Sequence, residues 1–144
     1  MIAVDTNILV YAHRREMHQY RVAQKGLAVL ADSQDRWAIP WPCIHEFVAV
    51  VTRQGLFDPP TPLVDALRQI DIWLESPQLD LISESDGHWD QFRPLAVAGR
   101  LTGPRIYDAR VAAICLSHGV RELWSADRDF SRFPGLRVVN PLIG

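Results

Sequence analysis

The fold is decided by the opening stretch Met1-Ile2-Ala3-Val4-Asp5-Thr6-Asn7-Ile8-Leu9. Ile2-Ala3-Val4 is apolar throughout, which is typical of a strand buried on both faces of a parallel sheet. Asp5 and its two polar successors are residues of the helix-capping type, and an apolar helix follows from Ile8. The sequence therefore predicts a carboxylate at the end of a buried strand, where ligands bind in open α/β sheets. A plain helix cap would use the same residue, so Asp5 alone supports either role.

The composition is that of an ordinary globular protein. A chain of 144 residues is long enough for one domain and too short to expect two, so residues 1–144 are predicted to form a single domain. The net charge of −2 argues against binding nucleic acid through bulk positive charge. Cys43 and Cys115 lie far apart in apolar segments, which indicates buried free thiols. Without a membrane-length apolar run or a signal-peptide pattern, the expected location is the cytoplasm.

Short apolar runs alternate with helical patterns along the rest of the chain. Further strands are predicted at residues 37–39, 79–82, 122–125 and 136–139. Further helices are predicted over about residues 18–33, from Cys43 to about residue 53, from Pro62 to about residue 75, from a cap at Asp86, and over residues 107–116. The helix after Pro62 has the clearest amphipathic spacing, which is typical of a core-facing stripe. This alternation predicts an α/β domain with a parallel sheet.

Four carboxylates fall where burial would be costly without a partner. Asp5 and Asp127 follow predicted strands, whereas Glu46 and Asp108 lie in helices that look too apolar to face water. Each has a plain alternative: a helix cap for Asp5 and Asp108, an ion pair with Arg110 for Glu46, and a turn for Asp127. Their coincidence suits a hard divalent cation, because the ligands are oxygens and no cysteine or histidine spacing of a zinc site occurs. Such clusters support phosphodiester hydrolysis.

The same acids stand in four motifs whose order and spacing match a known family. The motifs are Val4-Asp5-Thr6-Asn7-Ile8-Leu9, Ile44-His45-Glu46-Phe47, Tyr107-Asp108-Ala109-Arg110-Val111-Ala112-Ala113 and Trp124-Ser125-Ala126-Asp127-Arg128-Asp129-Phe130. With them, essentially the whole chain resembles the PIN-domain family, and specifically the VapC-type ribonuclease toxins of toxin–antitoxin pairs. The resemblance implies an α/β, PIN-like three-layer fold, in which a parallel β-sheet is flanked by helices on both sides.

The resemblance also implies a reaction and a set of residues. It implies an endoribonuclease, the toxin of a VapBC-type system, that hydrolyses RNA phosphodiester bonds with water activated by Mg²⁺ or Mn²⁺. The implied catalytic residues and metal ligands are Asp5, Glu46, Asp108 and Asp127, with Asp129 as the alternative to Asp127. Thr6 or Asn7 would orient Asp5 or the attacking water.

Possible RNA contacts and partners follow from the same resemblance. Four arginines near the acidic motifs, Arg14, Arg15, Arg110 and Arg128, are possible phosphate contacts, although a solvated surface role is equally open for each. The implied partners are RNA, a cognate VapB-type antitoxin that places a basic side chain in the acidic pocket, and a second copy of the chain. The apolar helices near residues 43–53 and 62–75 are candidates for both protein interfaces, against the more common role of such stripes in the core.

Three other functions remain open from the residues. A DNA-directed nuclease would use a similar acidic site, and a PIN-like module could bind RNA or protein without catalysis. A receiver-like phosphatase would place a lysine after a late strand, but Lys25, the chain's one lysine, lies in an early helix. No phosphate-binding glycine motif, dinucleotide-binding motif or serine nucleophile elbow occurs.

Overall fold

Five short strands and six helices make up the fold in the computed structural model, which describes residues 1–143. The strands are β1 (Ile2–Val4), β2 (Trp37–Pro40), β3 (Leu79–Ile82), β4 (Glu122–Trp124) and β5 (Arg137–Val139). The helices are α1 (Thr6–His13), α2 (Tyr20–Asp32), α3 (Trp41–Val51), α4 (Leu63–Trp73), α5 (His88–Ala98) and α6 (Ile106–Ser117). Two 3-10 helices, Gly103–Arg105 and Arg128–Arg132, flank α6 and β4.

The strands form one parallel sheet in the order β3-β2-β1-β4-β5. In the central strand β1, Ala3 and Val4 are fully buried, which explains why this strand shows no polar alternation. Helix α1 packs against α2 and α3, while α5 packs against α6. Trp37, Phe47 and Leu123 are among the large side chains that fill the core between sheet and helices. The predicted parallel α/β fold with three layers is confirmed.

The strand order creates a crevice beside the central strand. From β1 the chain moves outward to β2 and β3, and then returns to the other side of β1 to form β4 and β5. The carboxyl ends of β1 and β4 are therefore a topological switch point, where the following segments diverge and leave room for a ligand. Val4 pairs with Trp124 in the parallel register, so the next residues, Asp5 and Ser125, are neighbours at this edge.

Two predicted helix starts differ from the structure. Helix α3 begins at Trp41 rather than near Cys43, because Pro42 lies in the first turn, where a missing backbone N–H costs nothing. Helix α5 is capped by Gly87 in a left-handed conformation (φ 81°), so the predicted capping role of Asp86 is wrong. Among residues 1–143, none of the helices has the length and apolar character that crossing a bilayer requires.

Helix α4 buries less of its apolar stripe than its spacing indicated. Ala66 and Ile70 are buried, but Leu63, Leu67 and Leu74 of the same stripe are exposed. The prediction that this stripe faces the core is therefore only partly correct. Val64 and Ile72 are also exposed, so the helix presents a considerable apolar surface to solvent.

Candidate functional site

A cleft of about 370 Å³ lies at the switch point between β1 and β4. Its lining residues are Asp5, Thr6, Asn7, Val10, Pro42, His45, Glu46, Val50, Tyr107, Asp108, Arg110, Val111, Asp127 and Phe130. We call it the acidic cleft, because it contains the four carboxylates singled out in the sequence. They come from four separate segments of the chain, so only the fold brings them together.

Asp5 serves both as a helix cap and as the innermost acid of the cleft. Its Oδ1 accepts a hydrogen bond of 2.8 Å from the backbone N–H of Thr6, at the start of α1. Its Oδ2 accepts one of 2.7 Å from the hydroxyl of Ser125, and the Cys43 thiol lies 3.6 Å from Oδ1. The residue is only 7% exposed, and burial raises the pKa of its carboxyl despite these donors. The two roles considered for Asp5 are therefore compatible.

Ser125 fixes the inner wall of the cleft. Its oxygen accepts hydrogen bonds from the side-chain amide of Asn7 (3.3 Å) and the backbone N–H of Asp127 (3.0 Å), so its single proton is left for Asp5. The amide of Asn7 is itself oriented, because its Oδ1 accepts from the backbone N–H of Ala126 at 3.1 Å. Sequence reasoning did not assign Ser125 a role; its place directly after the strand beside β1 was the available signal.

Three aspartates form the outer part of the acidic cluster. Carboxylate oxygens of Asp108, Asp127 and Asp129 lie within 4.8 Å of one another. Asp108 stands in the first turn of α6, and burial followed by the negative charges of Asp127 and Asp5 raises its pKa to about 6. Asp127 caps the 3-10 helix that follows, since its Oδ1 accepts from the N–H of Asp129 at 2.9 Å.

Glu46 completes the set from α3, but in a different environment from the one predicted. The residue is exposed, so the prediction that it is too deeply buried to face water is wrong. Partial burial and the charge of Asp5 still raise the pKa of its carboxyl. Arg110, the partner considered for Glu46 as an alternative to a cation, also lines the cleft but pairs with Glu84 at 3.1 Å, so that alternative is not realised.

The donor set of the cleft fits a divalent cation. It offers carboxylate oxygens from several elements, and burial together with the repulsion between these groups raises the pKa values of Asp5, Glu46 and Asp108, a cost that a bound cation would offset. The hydroxyl of Thr6, another lining residue, is buried, and it lies close enough to Glu46 to oppose the rise in the pKa of that carboxyl. A hydroxyl oxygen beside the carboxylates adds to a donor set of the kind that hard divalent cations prefer.

The remaining arginines of the predicted RNA-binding set lie in different places. Arg128 is exposed at the start of the 3-10 helix after Asp127. Arg15 lines a separate cavity between α2 and α4. Arg105, which the sequence did not single out, lies beside the acidic cluster with its Nη1 2.8 Å from Asp129 Oδ2.

The side chain of Arg14 binds the loop that precedes α4. Its Nη1 donates to the hydroxyl of Thr61 (3.0 Å), and its Nη2 donates to the backbone oxygen of Pro59 (2.9 Å). Its Nε donates to Glu16, and its guanidinium lies 4.5 Å from the ring centre of Phe57. The side chain is 10% exposed and is not part of the acidic cleft, so the structure gives the predicted phosphate contact no support.

Arg14→Ala is expected to lower the free energy of unfolding by about 2 kcal/mol, because it leaves the polar groups of the loop without their charged donor. RNA affinity should change by less than about twofold, since Arg14 lies outside the acidic cleft and its guanidinium contacts the protein instead of a phosphate. Urea denaturation and RNA binding would be measured beside the exposed neighbour variant Arg15→Ala. Weaker RNA binding by Arg14→Ala with unchanged stability would contradict this interpretation.

The fold and the site together define a class of protein: a parallel α/β domain with a carboxylate cleft at its topological switch point. The particular family follows from comparison with known sequences. The PIN domain model matches residues 2–136, and the chain belongs to the PIN-domain family.

Several similar proteins carry a common name. The chain is 36% identical over 144 residues to VapC ribonuclease Mb2897 of Mycobacterium bovis, a match that covers 100% of this chain and 97% of the relative. It is equally similar, with the same coverage, to Ribonuclease VapC43 of Mycobacterium tuberculosis. Ribonuclease VapC37 of the same species is 32% identical over 143 residues, which covers 98% of this chain and 97% of the relative.

Solved structures share the fold at lower identity. VapBC2 from Rickettsia felis, bound to a DNA fragment from its promoter, superimposes with a TM-score of 0.69 at 22% identity and covers 97% of this chain and 98% of the other. VapC20 from Mycobacterium tuberculosis, described as a sarcin–ricin loop cleaving toxin, gives a TM-score of 0.68 at 16% identity and covers 91% and 93%. At these identities the likeness shows the fold alone.

Proposed function

We propose that this chain is a metal-dependent endoribonuclease of the VapC type, a single-domain toxin that acts in the cytoplasm. The observation that carries the proposal is the convergence of Asp5, Glu46, Asp108 and Asp127 on one cleft at the switch point of the sheet. Support also comes from the relatives that are 32–36% identical over nearly the full chain and are named as VapC ribonucleases.

The four carboxylates would hold Mg²⁺ or Mn²⁺. When bound, such an ion lowers the pKa of water and offsets the negative charge that develops on the phosphate. The need for a cation also follows from charge, because an RNA phosphate would be repelled by a cleft of ionised acids. Burial and mutual repulsion, which raise the pKa values of Asp5, Glu46 and Asp108, act against ionisation of these acids when no cation is present.

The protein's own contribution is to hold the acids in place before RNA arrives. Ser125 and the N–H of Thr6 keep the carboxylate of Asp5 in one orientation. The N–H of Asp127 donates to Ser125 as well, so the acids after β1 and β4 are fixed relative to each other. Prearranged charged groups need no reorganisation during the reaction, which is a large part of their catalytic value.

A VapB-type antitoxin and a second copy of the chain are the proposed protein partners. Complexes of VapB and VapC proteins, including VapBC2 of Rickettsia felis, are among the structures with this fold. Helix α4 offers suitable apolar surface. Four of its residues and the residue that caps its C-terminus are exposed and apolar: Leu63, Val64, Leu67, Ile72 and Leu74. Apolar side chains grouped on one exposed helix favour a protein partner over solvent.

RNA cleavage by the wild-type protein is expected to require Mg²⁺ or Mn²⁺ and to stop in EDTA, because the acids alone repel the phosphate. The test uses purified protein, freed of any antitoxin, with total RNA under each condition. Asp5→Asn controls for contaminating ribonucleases, which would cleave in its presence as well. Single-stranded DNA of matched length tests the DNA-directed alternative.

Discrete RNA fragments that need the metal and are absent with Asp5→Asn would support the proposal. Cleavage that continues in EDTA, or equally with Asp5→Asn, would contradict it. Intact RNA in every lane, from folded protein that binds Mn²⁺, would favour a module that binds RNA or protein without catalysis.

A further inference from the structure

Asp129 belongs to the acidic cluster by distance but differs from its other members in its partners. Its carboxylate lies within 4.8 Å of those of Asp108 and Asp127, so distance alone would allow it to bind the same cation. However, its Oδ2 lies 2.8 Å from Nη1 of Arg105, and its Oδ1 lies 3.9 Å from Nη2 of Arg132. Each oxygen of Asp129 therefore faces a guanidinium.

The other acids of the cleft have no such partner. Among residues 1–143, none of the ion pairs includes Asp5, Glu46, Asp108 or Asp127. Asp127 accepts a backbone N–H and Asp5 accepts neutral donors, which leave their negative charge uncompensated. The guanidinium of Arg105 thus divides the cluster into acids that retain a net charge and one acid that is already paired.

Arg105 is well placed for this role. It ends the 3-10 helix Gly103–Arg105, directly before α6, so it lies about one helical turn before Asp108 in the chain. Its side chain is partly exposed, and its Nη1 lies 2.8 Å from Asp129 Oδ2. This contact holds the carboxylate of Asp129 next to a positive charge, where it is already compensated without a cation.

We propose that Arg105 is a positioning residue that keeps Asp129 out of the cation's ligands, so that Asp127 is the acid of the closing motif that binds the metal. The inference rests on the proposed function, because it assumes that the acidic cleft binds a divalent cation. Replacement of Arg105 then has two consequences. It removes a positive charge near the cation, and it releases Asp129 to join the other ligands.

The experiment measures Mn²⁺ binding to the RNA-free protein by isothermal titration calorimetry. Asp127→Asn should weaken binding by about tenfold or more, whereas Asp129→Asn should change it by less than about twofold. Arg105→Gln should strengthen binding by about fivefold, as expected from loss of a half-exposed like charge and gain of a ligand. Arg105→Lys, which retains the charge, should bind Mn²⁺ like the wild type.

The double variant Arg105→Gln/Asp129→Asn separates the two consequences. Most of the gain seen with Arg105→Gln should disappear in the double variant, because Asp129 is no longer available as a ligand. Arg132→Gln is the matched control, since its contact with the same carboxylate is 3.9 Å long and its removal should have little effect. Thermal unfolding of each variant confirms that the protein titrated is folded.

Three results would overturn the inference alone. The first is a loss of Mn²⁺ affinity with Asp129→Asn that is as large as the loss with Asp127→Asn. The second is a gain in Mn²⁺ affinity with Arg105→Gln that persists undiminished in the double variant. The third is an Arg105→Gln variant that binds Mn²⁺ like the wild type but binds RNA more weakly. The last result would make Arg105 a phosphate contact. If the wild-type protein bound no Mn²⁺ at all, the proposed function and this inference would both be wrong, so the two failures are distinguishable.

Discussion

Asp108→Asn is expected to abolish the proposed RNA cleavage and, at neutral pH, to make the metal-free protein more stable. Cleavage should fall by at least about 100-fold, because one ligand of the cation is lost. The folded protein holds the pKa of Asp108 at about 6 through burial and the charges of Asp127 and Asp5. Such a shift from 3.8 corresponds to about 3 kcal/mol without solvent screening. Because the carboxyl is half-exposed, we expect a gain of about 1 kcal/mol.

The stability gain should depend on pH in a defined direction. The folded state binds the proton of Asp108 more tightly than the unfolded chain does, since its pKa is about 6 rather than 3.8. The contribution of Asp108 to the stability of the wild type is therefore fully present below the unfolded pKa of 3.8, and it is lost as the pH rises through the folded pKa of about 6. Burial raises the pKa values of Asp5 and Glu46 in the same direction. Urea denaturation in EDTA should show no advantage of Asp108→Asn at about pH 4 and the full advantage above about pH 7.

Asp90→Asn is the matched control for this variant. Asp90 also stands in the first turn of a helix, α5, but it is exposed and outside the acidic cleft. Its replacement should retain RNA cleavage and reduce stability by about 0.5 kcal/mol, through loss of a favourable charge at a helix N-terminus. If Asp108→Asn were no more stable than Asp90→Asn at pH 8 in EDTA, the cost of ionising Asp108 through burial and the charges of Asp127 and Asp5 would be contradicted.

The centre of the fold could be predicted from the sequence because the inner strands β1 and β2 are largely buried on both faces. A run such as Ile2-Ala3-Val4 has no solvent-facing positions, so its apolar character marks a parallel strand directly, and the strand at residues 79–82 was predicted with its observed bounds. The acids could be predicted for a related reason. A carboxylate next to such a run, as at Asp5, has to be paired or bound to a cation when it is buried, whereas Glu46 lines the cleft from an exposed position of its helix.

The contribution of Ser125 depends on register, which a local pattern does not encode. Serine is common in turns, so its place in the closing motif, two residues before Asp127, does not by itself indicate a role for its hydroxyl. Its importance arises because Val4 pairs with Trp124, which brings residues from opposite ends of the chain to a hydrogen-bond distance of 2.7 Å. Strand order and register are long-range relations, so the contact between Ser125 and Asp5 could be recognised only from the structure.

Proximity to an acidic motif in the sequence did not predict which arginines lie near the acidic cleft. Arg14 comes soon after Asp5, but the eight residues of α1 lie between them, a distance of about 12 Å along the helix axis. Arg14 consequently contacts the loop before α4 rather than the cleft. Arg105 stands only three residues before Asp108 and does lie beside the cluster in space, although it was not among the arginines singled out from the sequence.

Ser125→Ala should cause the largest loss of both stability and activity among changes that leave every acid in place. The hydroxyl is 1% exposed, and its removal leaves Asp5 Oδ2 without a donor and the N–H groups of Asn7 and Asp127 without an acceptor. At about 1 kcal/mol for each unpaired group, the free energy of unfolding should fall by about 3 kcal/mol. Cleavage should fall by about 10- to 100-fold, because the two acids beside β1 and β4 lose their fixed relative position.

Ser131→Ala makes the same chemical change at an exposed position, where the hydroxyl donates only to the backbone oxygen of Arg128. It should alter stability by less than about 0.5 kcal/mol and leave cleavage unchanged. Activity of Ser125→Ala has to be measured at a temperature where urea denaturation shows the variant to be folded. Retention of wild-type cleavage under those conditions would mean that the cation alone orients the acids. A loss confined to kcat, with substrate affinity retained, would show that the hydroxyl acts through the position of Asp5 rather than through RNA binding.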